Sequence, residues 1–194
     1  TFFGGETLLN FAVVKSTIEY ARTKAAEMGK YKDFSMATNA TMLTSEIISF
    51  LAENNVGVTV SIDGPKESND RFRVFHNGKG SYDVIAPKIR ELVKVHRSRP
   101  IGARVTLTAQ VVDVKRIFRH LTDEMGFDEV GFAPVTTSPV RLYAIGNTGL
   151  DHVLDQFAEL AGEYLEYALA DKHHGFSNVN DTLQELHQGV SKAY

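Results

Sequence analysis

Four groups of polar residues in this chain fall at or just beyond short apolar runs. Gly4-Gly5-Glu6 follows Phe2-Phe3, Thr38-Asn39 closes the run FSMA, Ser61 and Asp63 close VGVTVSIDG, and Arg73 lies in the charged stretch beyond. The ends of parallel strands are where ligands sit in barrels of strands and helices. Glu6 supplies a carboxylate for an ammonium group, Thr38, Asn39 and Ser61 supply hydroxyl and amide hydrogen bonds, and the Arg73 fork matches two carboxylate oxygens. Gly4 and Gly5 let the backbone turn sharply or approach a ligand closely. Together the set suits a zwitterionic amino-acid ligand.

Each member also has an ordinary structural reading. Gly-Gly-Glu after a strand is a common turn and helix start, because Glu favours a first helical turn. Asn39 is equally a turn residue, Ser61 a small filler in an apolar strand, Asp63-Gly64-Pro65 a turn, and Arg73 a solvated charge. Arg104, in the alternating run ARVTLT, would be costly against a core without a partner. It either faces the mouth of a barrel with a partner or points outward.

Hydrophobic periodicity places the elements that carry these residues. The spacing predicts a helix over Glu6–Met28 with the stripe Phe11, Val14, Ile18, Ala21, Ala25 and Met28, stopped at Gly29. A short strand Phe34–Thr38 follows, then a helix capped by Thr44 with Ile47, Ile48 and Leu51 inward. Val56–Ile62 alternates as a β-branched strand, and Lys66–Gly80 reads as a polar surface loop. Further elements are a helix from Ser81, a strand Ile101–Thr108, a helix capped by Asp113, a strand Glu129–Val135, and helices over Leu150–Ala170 and Asn178–Val190. With a first strand at Thr1–Phe3, strict alternation implies a parallel sheet with helical crossovers. The expected fold class is α/β, a partial TIM-like (β/α) barrel, with residues 1–149 as barrel and 150–194 as a helical extension.

Composition narrows the classes further. The 194 residues are 43% hydrophobic and 23% charged with a net charge of -3, which is ordinary for a globular protein and offers no broad basic surface for nucleic acid. No apolar run is long enough to cross a bilayer, so the expectation is a soluble, cytoplasmic protein without a membrane partner. The chain has no cysteine, hence no thiol nucleophile or thiolate metal site, and its seven histidines lack metal-ligand spacing, so no metal site is expected. A start inside a strand and an end inside a helical pattern lead us to expect a piece of a longer protein.

Taken together, these stretches resemble a known family. FFGGETLLNF resembles the Gly-Gly-Glu motif after the second strand of radical S-adenosylmethionine (SAM) enzymes, and SIDGP followed by D, R, F and NGKGSYD resembles their peptide-maturing branch. That branch includes sulfatase maturases and thioether-forming peptide maturases with auxiliary-cluster (SPASM) domains. The tail after VTTSPVRLYAIGNTG looks most like the maturases of quinohemoprotein amine dehydrogenase.

The resemblance implies a six-stranded partial barrel. Gly4, Gly5 and Glu6 would hold the amino group of SAM, Ser61 and Arg73 its carboxylate, and Thr38 and Asn39 would lie beside its methionine or ribose part. Asp63 would fix that loop, the strand Ile101–Thr108 and the segment Gly131–Val135 would approach the ribose and adenine, and Arg104 would face the mouth as one of the cofactor-binding residues. It further implies an oxidoreductase that uses 4Fe-4S clusters on a peptide or small protein, foremost an amine dehydrogenase small subunit in which thioethers form. Formylglycine formation in a sulfatase is the alternative, and a non-enzymatic peptide-binding scaffold the third reading. Since clusters need thiolates, the chain by itself is expected to be inactive. An uncovered first strand and an apolar concavity are expected to drive self-association.

Overall fold

The computed structural model describes residues 1–189, and the predicted helix end at Val190 lies outside them. Four parallel strands, β1 (Ser35–Thr38), β2 (Gly57–Ser61), β3 (Ile101–Leu107) and β4 (Glu129–Pro134), lie side by side in chain order. The helices α1 (Phe11–Glu27), α2 (Ser45–Glu53), α3 (Lys66–Phe72), α4 (Tyr82–Val95), α5 (Val114–Arg119), α6 (Asn147–Leu169) and α7 (Ser177–Gln188) complete the alternation. The α/β partial-barrel expectation holds. Each outer edge of the sheet carries one further parallel bridge, Phe2 to Met36 and Val130 to Phe176, so six positions span the sheet.

Strand alternation divides the sheet into two chemically different faces. Val58, Val60, Ala103, Val105 and Leu107 are buried under the helices in one continuous core with Ile48, Leu51, Ile89, Ile117 and Phe118. The alternate residues Gly57, Thr59, Ser61, Gly102, Arg104 and Thr106 are half-buried or exposed on the concave face. That face is small and polar, so the expected apolar concavity is corrected. The period of two that buries the valines sends the polar residues to the other side.

Several boundaries move, for identifiable reasons. The first strand is a single bridge, because the chain leaves the sheet at Gly4. Thr7–Asn10 is a 3-10 turn ahead of α1, with Glu6 accepting from Leu8 N at 3.0 Å as its cap. Met28 is 68% exposed rather than part of the buried stripe, since α1 has already ended. The predicted loop over Lys66–Gly80 begins instead with helix α3. Its polar residues bond inward: fully buried Asn69 accepts from Asp63 N and donates to Ser81 Oγ at 3.1 Å, a tertiary reward that composition does not reveal.

The same network explains the NGKGSYD stretch. Asp70 accepts from Tyr82 N at 2.8 Å and from Asn69 Nδ2 at 3.1 Å, pinning the start of α4 to α3. Gly80 packs directly on this carboxylate: a Cβ there would lie 2.1 Å from Asp70 Cγ. Gly80→Ala is therefore expected to cost about 1–3 kcal/mol in urea unfolding, as overpacking does. A loss under a few tenths would show that Asp70 moves freely.

Candidate functional site

The C-terminal edge of the sheet gathers most of the polar residues singled out from sequence. Glu6, carried there by the Phe2 bridge, accepts from Thr38 Oγ1 (2.7 Å) through Oε1 and from Asn39 N (2.7 Å) through Oε2. With the Leu8 N–H these fill three of the roughly four lone-pair positions of a carboxylate. Among the described residues no cation lies within ion-pair distance of Glu6. The strand end thus presents a rigidly held negative charge with capacity for one more donor.

Thr38 and Asn39 build the turn that receives it. Ala40 N donates to Thr38 Oγ1 at 3.0 Å, and Asn39 Oδ1 accepts from Thr41 N (3.0 Å) and Thr41 Oγ1 (2.7 Å). Ala40 is fully buried with a left-handed φ of 63°, a strain that this over-determined turn sustains beside the site. The turn-residue reading of Asn39 is thus realised, and only its side-chain NH2 is left to face a ligand.

One strand over, Asp63 and Arg73 form an ion pair: Nη2 donates to Oδ1 at 2.9 Å, and Nε lies 2.7 Å from Oδ2 without a well-aligned hydrogen bond. Asp63 is 3% exposed, and its Oδ1 also accepts from Thr106 N at 2.9 Å, tying the ends of β2 and β3 together. Asp63 grips Arg73 along one side of the fork, and the end-on N–H groups remain for a second acceptor. Arg73 is not a freely solvated charge. It lines a cleft of about 300 Å³ with Asn39, Thr41, Phe72, Phe75 and Ser81. Asn39, whose backbone Glu6 holds, therefore stands in the same hollow as Arg73.

The remaining expected ligands fall into two groups. Gly4 and Gly5 lack a left-handed φ, and a Cβ on either would meet nothing within 4 Å. The fold of this chain places no demand for glycine there. Ser61 lies on the concave face rather than filling the core, in register with Arg104 on β3. Arg104 is exposed and lines a second cleft, with Ala133, Ser177, Asn178 and Asp181, apart from the one at Asn39 and Arg73. Its side chain lies on the concave face, and the partner expected for a mouth-facing Arg104 is not found among the described residues.

Sequence reasoning placed the last two helices but missed the contacts by which they close the other side of the sheet. Asn178 Oδ1 accepts from Phe132 N and Asn178 Nδ2 donates to Phe132 O, both at 2.9 Å, so one amide side chain imitates a neighbouring strand on the edge of β4. A lone Asn at a helix start carries no such signal. His174 is also hidden in sequence. It stacks on Phe118 at 5.0 Å between centroids, and its side chain is 2% exposed. Burial holds its pKa below the ordinary histidine value of 6.5, with Glu163 at 3.5 Å partly opposing.

An unfolded His174 thus takes up a proton more readily than the folded one. Stability contributed at neutral pH should fall as pH drops through about 6.5 and below. His174→Phe should flatten the pH dependence of Tm between about pH 7 and 5. An unchanged slope would assign the effect to other groups.

The iron–sulfur expectation meets a plain chemical limit. With no cysteine, this chain supplies no thiolate, and the described residues contain no group of three or more His, Asp or Glu able to hold a metal. No described helix is long and apolar enough to cross a membrane.

No protein-family model matches the chain. Its sequence is similar to a serine-type anaerobic sulfatase-maturating enzyme from Bacteroides thetaiotaomicron, 39% identical over 95 residues, covering 48% of this chain and 22% of that enzyme. It is similar also to a cysteine-type anaerobic sulfatase-maturating enzyme from Clostridium novyi, 39% identical over 59 residues, covering 30% of this chain and 16% of that one. Among solved structures, native anSMEcpe with bound AdoMet and Kp18Cys peptide superposes with a TM-score of 0.82 at 18% identity, covering 98% of this chain and 53% of that chain. At that identity the likeness shows the shared fold. The chain spans about half the length of that structure.

Proposed function

We propose that this chain is the SAM-binding core of a radical SAM enzyme that modifies a peptide or protein. The sulfatase-maturating relatives and the shared fold support a place in the radical SAM maturase family. The observation that carries the reading is the pair of opposite charges at one sheet edge. Glu6 is held by Thr38 and Asn39, Arg73 is held by Asp63, and Asn39 and Arg73 line one cleft.

In this reading Glu6 accepts the methionyl ammonium, with Gly4 and Gly5 letting the backbone come close. The end-on N–H groups of Arg73, with Ser61, bind the methionyl carboxylate. SAM, when bound and given an electron, supplies the radical that takes hydrogen from the substrate. The residues of this chain bind and orient it. They do not fit a cluster, having no thiolate to offer.

As the reaction, formylglycine formation on a sulfatase serine or cysteine has the support of both types of relative. Thioether formation in an amine dehydrogenase subunit rested on the helical tail. The sulfatase-maturase fold covers 98% of this chain, so the tail does not separate the two. Titrating the 15N-labelled protein with SAM tests the site. Shifts at Asn39, Thr41 and the Arg73 side chain are expected, and shifts elsewhere alone would overturn it.

A further inference from the structure

We propose that Arg104 is a specificity-determining residue that receives a carboxylate side chain of the peptide substrate, in the cleft between β4 and α7. This rests on the peptide-maturase reading and assigns Arg104 to the substrate rather than to SAM.

Four observations lead there. First, Arg104 occupies the middle of β3 on the concave face, while its strand neighbours Ala103 and Val105 are buried under the helices. Second, both residues in register beside it are small, Ser61 on β2 and Gly131 on β4. A Cβ on Gly131 would come within 3.3 Å of Arg104 Nη1 and 2.8 Å of Ser177 Oγ. The guanidinium therefore lies beside Gly131 and Ser177, where a side chain at residue 131 would crowd it.

Third, the cleft it enters is about 430 Å³, room for one or two amino-acid residues but distinct from the hollow of Asn39 and Arg73. Fourth, Arg104 makes no hydrogen bond or ion pair among the described residues, in contrast to Arg73, which pairs with Asp63. A guanidinium on a concave face that encloses a ligand needs an acceptor when water is displaced.

The opposite wall sets the chemistry of that acceptor. Asp181 and Glu185 project from α7 into the same cleft beside the hydroxyls of Ser177 and Thr182. A bare anion would be repelled by those carboxylates. A peptide satisfies both walls, because its Asp or Glu side chain meets Arg104 while its backbone N–H groups face the acids and hydroxyls. Two-point binding of a carboxylate by Arg also discriminates strongly against the neutral amide.

The test uses the labelled protein and two probes, N-acetyl-Cys-Asp-amide and N-acetyl-Cys-Asn-amide, titrated separately and followed by the amides of Gly131, Ala133 and Asn178 and by Arg104 Nε–H. The Asp peptide should shift these signals and bind about tenfold more tightly than the Asn peptide. Arg104→Gln should erase the difference and Arg104→Lys keep part of it, with amide dispersion showing that both variants are folded. Equal affinity for the two peptides, or no shift at millimolar Asp peptide, overturns the proposal. A shift of Arg104 Nε–H by SAM overturns it too and returns the residue to the cofactor site. Failure of SAM to shift Asn39 and Arg73 would instead strike the cofactor reading, so the two failures are distinguishable.

Discussion

Arg73→Lys should weaken SAM binding by about ten- to a hundredfold while leaving the fold largely intact. The expected loss follows from geometry. Arg73 Nη2 donates to Asp63 Oδ1 at 2.9 Å, and Nε lies 2.7 Å from Oδ2 in the ion pair without making a well-aligned hydrogen bond, which holds the guanidinium beside Asp63 in the cleft with Asn39 and Thr41. Lysine keeps a cation beside Asp63, whose side chain is only 4% exposed, but it cannot hold Asp63 and a ligand carboxylate at once. Each charge-assisted hydrogen bond lost is worth about 1.5–3 kcal/mol, and every 1.4 kcal/mol is about tenfold in affinity.

Arg73→Ala is a poorer probe. It would strand the Asp63 carboxylate, which is buried between β2 and β3, and breaking such a pair costs about 3–5 kcal/mol of stability. Glu6→Gln provides the matching test at the opposite pole, since an amide can still accept from Thr38 or Asn39 but offers an ammonium no charge. Calorimetric titration with SAM, alongside thermal melts, separates the outcomes. Wild-type affinity in both Arg73→Lys and Glu6→Gln would defeat the assignment of this edge to the amino-acid part of SAM.

The largest effect on stability is expected from Phe176→Ala, at about 3–5 kcal/mol. Phe176 is 1% exposed and is surrounded by Phe157 at 5.3 Å, Phe118 at 6.0 Å and Phe132 at 6.2 Å between ring centroids. Its backbone continues the sheet, with Val130 N donating to Gly175 O at 2.8 Å. No residue of α7 is fully buried, and the helix is attached through Phe176, the Asn178 amide, half-buried Val179 against the core and the Tyr164–Asn180 hydrogen bond at 3.3 Å.

Emptying the Phe176 site therefore removes both aromatic packing and the anchor of α7. A domain has only about 5–15 kcal/mol in total, so the urea midpoint should fall steeply. Phe176→Leu, which retains most of the volume, should lose less. A cost below about 1 kcal/mol for Phe176→Ala would mean that the cluster collapses to fill the space.

Local pattern accounts for much of what could be read from the sequence. The alternation in VGVTVSIDG and IGARVTL specified strands, because a period of two is a property of neighbouring residues. The stripe Ile47, Ile48 and Leu51 and the caps Thr44 and Asp113 specified helices for the same reason, and both caps are present. Glu6, Thr38, Asn39 and Arg73 were legible as candidate ligands because they follow predicted strand ends, and the parallel topology brings those ends to one edge.

Tertiary structure alone decided what these residues hold and where they face. Asp63 meets Arg73 and also the Thr106 amide 43 residues away, and no spacing rule encodes that pairing. Helix α3 forms in a stretch of loop-like composition because Asn69 finds buried partners at Asp63 and Ser81. Arg104 Nη1 lies 3.3 Å from where a Cβ on Gly131 would sit, on a strand that becomes its neighbour only after the sheet assembles. Periodicity is local and survives in one dimension. Pairing across strands and the space left by a glycine are relations between distant residues, which exist only once the chain has folded.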